Sequence, residues 1–171
     1  MTTKIITKTG NLLHVKAGHI VHGCNAQGVM GSGVALGVKN TWPEVYEDYH
    51  TRWEKGGNIA VNGIEGLELG HAYPVEVTDT LVVWNAITQN LYGAGTRQVS
   101  YDAVETCFAQ VNKNMHDRLE FDAGLIPPHV HIPMIGAARG GGNWNIIKTI
   151  IEETVDFPVT LWLPDNTVTT L

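Results

Sequence analysis

Val21-His22-Gly23-Cys24-Asn25-Ala26-Gln27-Gly28-Val29-Met30-Gly31-Ser32-Gly33-Val34-Ala35 is the stretch that decides how this chain reads. The apolar run 19–24 has the composition of a buried strand. It stops at Asn25, and the next eight residues carry three glycines and no charge. A segment compatible with a short helix, 33–40, follows at once. A strand, a glycine-rich loop and a helix start are how α/β proteins hold phosphates. Glycine lets the backbone come close, its N–H groups point inward, and the helix N-terminus adds partial positive charge. A nucleotide-like or phosphorylated ligand is therefore the first expectation.

The arrangement recurs. The strand predicted over 129–135 runs into Gly136-Ala137-Ala138-Arg139-Gly140-Gly141-Gly142-Asn143-Trp144, which opens a helix near Asn143 running to about 155. In an open α/β sheet, ligands sit outside the carboxyl ends of strands, so two such loops can close on one diphosphate from both sides. The remaining pattern supplies the rest of the domain. Residues 4–7 form a short strand ended by Gly10-Asn11. A helix is predicted from Pro43 to about Lys55, with Thr41 as candidate N-cap and Gly56-Gly57-Asn58 ending it. Segment 63–70 has loop or hairpin character, and 72–77 and 81–86 read as strands. Val99, Ala103, Val104, Cys107, Phe108 and Val111 fall at helical spacing. Val159–Leu163 is the last strand. Strands alternating with helices predict one α/β domain over 1–171 with a mixed, largely parallel sheet.

Composition narrows the function. Hydrophobic residues make up 43% and charged residues 16%, the balance of a compact globule. The formal net charge is -6, with no Lys/Arg cluster. General nucleic-acid binding of the duplex type is not expected. No apolar run approaches the ~20 residues of a membrane span, and no signal-peptide core follows Met1, so a cytoplasmic location is expected. Two cysteines, Cys24 and Cys107, fit a reducing compartment and exclude a disulfide framework. Zinc-type Cys/His spacing is absent, and nothing in the sequence requires a metal or cofactor. The Rossmann fingerprint fits poorly. Gly31-x-Gly33 lies several residues past the strand, the third glycine is displaced to Gly37, and the expected acidic residue is missing. The P-loop ending Gly-Lys-Ser/Thr is absent too.

The three features together resemble the macro domain family, the ADP-ribose-binding α/β/α module. Asn25 through Ala35 resembles the family pattern Asn-x-x-G-x-x-G-x-G-(Val/Ile)-A. The segment 136–144 resembles its second phosphate loop, and Gly10-Asn11 its Gly-Asp turn. Within the family the look is closest to yeast-type ADP-ribose 1''-phosphate phosphatases, through His22-Gly23-Cys24-Asn25 and Gly10-Asn11. The resemblance implies a three-layer α/β/α sandwich that takes ADP-ribose or ADP-ribose 1''-phosphate.

It also implies roles. Gly31, Ser32, Gly33 and Val34 would give amides to the diphosphate, and Ala138, Arg139, Gly140, Gly141, Gly142 and Asn143 would hold the distal phosphate and ribose. Arg139 would pair with a 1''-phosphate. Asn11 would meet the adenine edge, and Leu163 to Asn166 would lie near it. Asn25 would bind the distal ribose, or else cap a turn. His22 would move a proton, or else be a core histidine. Strict alternation puts His22 and Cys24 on one sheet face and Asn25 on the other, so a break at Gly23 is needed for both His22 and Asn25 to reach a ligand. Gly140 takes the place of the family's second-loop aromatic, for which Trp144 or Tyr92 would compensate. His129 and His131 share a face and read as strand packing, and Cys24 as a small buried residue.

The leading expectation is a phosphatase converting ADP-ribose 1''-phosphate to ADP-ribose and phosphate, with His22 and Asn25 catalytic. The alternatives are a non-catalytic ADP-ribose-binding or sequestering module, and an ADP-ribosyl hydrolase. For the last, no acid lies between Gly136 and Trp144, which removes the loop-aspartate mechanism and leaves water held by the ligand's own phosphate.

Overall fold

The computed structural model describes residues 3–61, 63–93, 98–137 and 140–165. Eight strands and four helices follow in the order β1 (Ile6–Thr9), β2 (Gly18–Asn25), α1 (Gly33–Thr41), α2 (Pro43–Gly56), β3 (Ile59–Val61), β4 (Ile64–Gly66), β5 (Ala72–Thr78), β6 (Leu81–Gln89), α3 (Tyr101–Phe121), β7 (Val130–Ile132), α4 (Trp144–Thr154) and β8 (Val159–Leu163). Six strands form one sheet in the order β1-β8-β7-β2-β6-β5, and β3-β4 is a separate hairpin. Every pairing in the large sheet is parallel except β5 with β6. The predicted mixed, largely parallel sheet is the observed one.

The central strands β2 and β6 are buried on both faces, which is why they read as nearly continuous apolar runs. On one face Val21, Val82, Trp84 and Ala86 pack under α3 and α4, through Val104, Phe108, Val111, Ile147 and Ile151. On the other, Ile20, Leu81 and Val83 meet Val38 of α1 and Val45 of α2, and Cys24 and Ile87 meet Tyr49. These are the three layers. The Ala103 N–H donates to the Ser100 hydroxyl oxygen and the Asn145 N–H to the Asn143 side-chain oxygen, which starts α3 and α4.

Several boundaries differ from expectation, among them β6, which runs on from 86 to Gln89. The first strand starts later, because the Ile5 N–H is taken by Glu152 at 2.9 Å before pairing with β8 begins. Strand 129–135 contracts to Val130–Ile132, because Pro133 has no N–H for a ladder and Ile135 turns back onto its carbonyl. Thr41 closes α1 instead of capping α2. Trp42 occupies that cap without a side-chain bond, and Pro43 begins the helix with its missing N–H where none is needed. The hairpin lies at 59–66, earlier than 63–70.

Candidate functional site

Parallel β2 and β7 end on the same edge of the sheet, so the two glycine loops emerge side by side. The first loop is braced from within. Asn25 is 8% exposed, and its Nδ2 donates to the Val29 carbonyl at 2.7 Å while its Oδ1 accepts from the Gln27 N–H at 2.9 Å. Tyr49 of α2 completes the brace. Its hydroxyl lies 2.7 Å from the Asn25 carbonyl oxygen and 2.8 Å from Oδ1, and it accepts from the Val29 N–H at 3.1 Å. Gly28, at φ +75°, lets the chain turn flat against the Trp53 ring, where a Cβ would come within 2.6 Å. Asn25 thus fills the turn-capping role, with one Nδ2 hydrogen free of any partner among the described residues.

Past this brace the loop opens. Gly31, Ser32, Gly33 and Val34 are all exposed. Ser32 is the N-cap of α1, in extended conformation, and makes no side-chain cap. The first-turn amides of α1 therefore present an uncapped helix N-terminus, a seat for an anion.

The second loop is packed on itself. Gly142 N–H donates to the Gly136 carbonyl at 2.7 Å, and the Gly140 carbonyl accepts from the N–H groups of Gln98 and Val99 at 2.7 and 3.1 Å. A Cβ at Gly140 would lie 2.7 Å from the Gly136 oxygen, and one at Gly142 would lie 2.5 Å from Val99. These two glycines are required by the loop's own packing, while Gly141 is exposed at φ +68°. Asn143 caps α4 through Asn145, and its own N–H goes to the Tyr101 hydroxyl at 3.0 Å. Of the two helix starts on this edge, α4 is capped and α1 is open. Ala138 and Arg139 lie outside the described residues.

His22 is 1% exposed. Its Nε2 lies 2.7 Å from Asn85 Oδ1, and Asn85 Nδ2 donates to the Val45 carbonyl, so Oδ1 is the acceptor and His22 Nε2 carries the proton. Burial pushes its pKa down to about 4, opposed only by the Asn85 bond. Cys24 Sγ lies 3.7 Å from the same ring nitrogen, and burial raises its thiol pKa. A Cys-His-Asn group is thus assembled under α2 with a neutral imidazole and a protonated thiol, sealed from the loops. No break occurs at Gly23. The irregularity comes one step later, where Cys24 pairs with Ile87 but Asn25 pairs with Gln89. The extra residue is Thr88, whose Oγ1 has no hydrogen-bond partner, the one such buried side-chain atom among the described residues.

The other expected residues separate. Asn11 is exposed and starts a single 3-10 turn, Leu12–His14, by accepting from the Leu13 N–H at 2.9 Å. Trp144 packs against the core beside α3 and α4, whereas Tyr92 is 58% exposed. The His129 and His131 rings stack at 4.4 Å and take Thr160 and Trp162 as separate partners. Sequence reasoning missed Tyr49, Thr88 and Gln27, whose Nε2 ties the first loop to the Glu65 carbonyl at 2.9 Å. Their only sequence signal is position: Tyr49 lies four residues after Val45 on the buried stripe of α2.

No family model matches the chain. It is 29% identical over 140 residues to an uncharacterized 17.5 kDa protein of Enterobacteria phage T4, covering 82% of this chain and 81% of that one. It is 25% identical over 147 residues to a DNA ADP-ribosyl glycohydrolase of Thermus aquaticus, covering 86% of this chain but spanning only 36% of that protein. Among solved structures, a macrodomain protein from Streptomyces coelicolor superposes with a TM-score of 0.71 at 25% identity, over 94% and 99% of the two chains. Thermosipho africanus DarTG in complex with ADP-ribose gives 0.69 at 19% identity, over 96% of this chain and 43% of that one. The fold of this chain is that of the solved macrodomains.

Proposed function

We propose that this macrodomain holds ADP-ribose across its two glycine loops and releases it, by hydrolysis, from DNA. The open N-terminus of α1 carries the reading. Exposed amides over 31–34, no capping side chain and no carboxylate from 1 to 43 leave a seat that an anionic diphosphate fits. The 25% identity to a DNA ADP-ribosyl glycohydrolase over 86% of the chain supports the reaction class and the acceptor. In this reading Gly31, Ser32, Gly33 and Val34 hold the diphosphate, the free Nδ2 hydrogen of Asn25 meets the distal ribose, and Gly140, Gly141, Gly142 and Asn143 wall the distal phosphate. Asn11 stands at the adenine edge. Water adds to C1'' of the distal ribose, the bond from C1'' to the acceptor breaks, and the acceptor leaves with the proton. The ligand's own distal phosphate holds that water.

The phosphatase reading rests on the His22-Gly23-Cys24-Asn25 resemblance and on Arg139 as partner of a 1''-phosphate. With His22 sealed and neutral, its base would have to come from elsewhere.

Calorimetric titration with ADP-ribose, followed by assays on an ADP-ribosylated oligonucleotide and on ADP-ribose 1''-phosphate, tests both. Binding with release of ADP-ribose from the oligonucleotide is the expected outcome. Release of phosphate alone makes the protein a phosphatase, and binding without either makes it a reader. Absence of binding overturns the site.

A further inference from the structure

Two oddities meet at the carboxyl edge of the central strands. The first is Gly23, inside β2, where every other residue is buried. Its φ is not positive, so backbone conformation does not call for glycine, and glycine inside a strand weakens it. Space calls for it instead. A Cβ at this position would come within 2.8 Å of Thr88 Oγ1 and 3.3 Å of Ile135 Cγ2. Gly23 is also partly exposed, between buried His22 and buried Cys24. Its bare Cα therefore leaves an opening beside the Thr88 hydroxyl, and a glycine in a strand interior marks a place where a ligand can come close.

The second is Thr88 itself. It is the extra residue where the β2–β6 register breaks, it is 1% exposed, and its Oγ1 has no hydrogen-bond partner among the described residues. Bulges re-aim side chains beside active sites. An orphaned buried hydroxyl destabilises the ligand-free protein. The side chain is nevertheless held in place. It is β-branched and stiff at χ1, and the Thr88 carbonyl accepts from the Ser100 N–H at 2.8 Å. Its surroundings belong to both loops. Gln89, next in the chain, pairs with Asn25, which opens the first loop. Ile135 leads into the second, whose Gly140 carbonyl takes the N–H groups of Gln98 and Val99, just before Ser100. Thr88 thus stands between the roots of the two glycine loops.

We propose that Thr88 is a specificity-determining residue of the cradle, its hydroxyl bonding a hydroxyl of the distal ribose over the bare Cα of Gly23. This rests on the ADP-ribose reading above, which sets the distal ribose at the Asn25 side chain, two residues past Gly23. The chemistry matches. A threonine hydroxyl both donates and accepts, as a ribose hydroxyl does. The side chains bordering the opening, Thr88 and Ile135, carry no charge, so a neutral hydroxyl fits there and a phosphate oxygen does not. A site with a buried group waiting for a ligand hydroxyl discriminates against ligands that lack one, because the group then stays unpaired. The protein would in this way tell ADP-ribose from a nucleotide that ends at its diphosphate.

The test titrates the full chain, as wild type, Thr88→Val and Thr88→Ser, with ADP-ribose and with ADP, and melts each protein without ligand. Thr88→Val should weaken ADP-ribose binding about tenfold, as loss of one buried hydrogen bond does. It should leave the Kd for ADP unchanged and raise the melting temperature. Thr88→Ser keeps the hydroxyl and should bind ADP-ribose as wild type does. Affinity falling while stability rises is a result that a purely structural threonine does not give. An unchanged Kd for ADP-ribose in Thr88→Val, or an equal loss for both nucleotides, overturns the proposal. A lower melting temperature with ADP-ribose affinity kept makes a buried water the hydroxyl's partner and overturns it as well. A wild type that binds no ADP-ribose overturns the cradle and the proposal together, and the wild-type titration alone shows that failure.

Discussion

The Tyr49 hydroxyl, on a helix, lies 2.8 Å from the side-chain oxygen of Asn25, at the end of a strand 24 residues earlier. This contact fixes the first loop from beneath. It joins α2 to the one side chain that caps the turn, so the open amides over 31–34 inherit their position from a residue that no ligand touches. Tyr49→Phe keeps the ring and removes the bond. It should cost about 1–2 kcal/mol of stability and weaken ADP-ribose binding several-fold, measured by thermal melting and calorimetry on the same sample.

Removing His22 should affect folding more than chemistry. His22→Ala leaves buried Asn85 Oδ1 with only the weak Cys24 thiol donor at 3.7 Å and opens a cavity between β2 and α2, at a cost of about 2–4 kcal/mol. The folded fraction should keep the wild-type turnover per molecule. A folded variant with turnover abolished would restore the imidazole to the reaction.

Acid should unfold the protein through its histidines. His19 and His22 are each 1% exposed, and burial drives both pKa values down to about 4 from 6.5. The folded state therefore binds fewer protons than the unfolded state between those values. Stability is full above about pH 6.5 and falls as pH drops toward 4, by up to about 1.4 kcal/mol per pH unit for each histidine. Burial also drives His131 down to about 4 and lowers His129, so denaturant midpoints measured from pH 7.5 to 4.5 should decline with an uptake approaching three protons or more. A flat profile would mean that these rings are not held neutral.

Thr88 offers a stabilising change. Its buried hydroxyl has no partner, so Thr88→Val keeps the shape and removes an unsatisfied polar atom. A gain of about 1 kcal/mol, or roughly 2–4 °C in Tm for a chain of this size, is expected. A loss would mean that the hydroxyl has a bound partner in solution.

The glycines of the two loops should separate by substitution. At Gly31 a Cβ meets only Val29 at 3.6 Å, so Gly31→Ala should fold as wild type while crowding the amide seat and weakening ADP-ribose binding. At Gly142 the Cβ would press on Val99 at 2.5 Å, so Gly142→Ala should lower stability itself. Melting curves beside titrations distinguish the two.

How legible all this was in the sequence depends on the range of the interaction. β2, β6 and β8 could be read because a strand buried on both faces must be apolar throughout. The glycine loops could be read because turn chemistry is local. The sealing of His22 could not, because it depends on Asn85 and Val45, both distant in the chain, closing over the ring. Asn25's double role follows from Tyr49 in the same way. The contraction of β7 was written locally, in Pro133, and outweighed by the apolar run around it. The self-packing of Gly136, Gly140 and Gly142 needs Val99 from another element, so a loop that reads as a phosphate cradle is largely a folded wall.

The two cysteines carry one more consequence. Cys24 and Cys107 are both buried, on opposite faces of the sheet, and burial holds both thiols protonated well above neutral pH. They cannot meet without dismantling β2 and β6, and no oxidant reaches either while the sheet is intact. A disulfide between them is therefore a bond that only the unfolded chain can form, and one that formed there would block the return of β2 and β6 to their places.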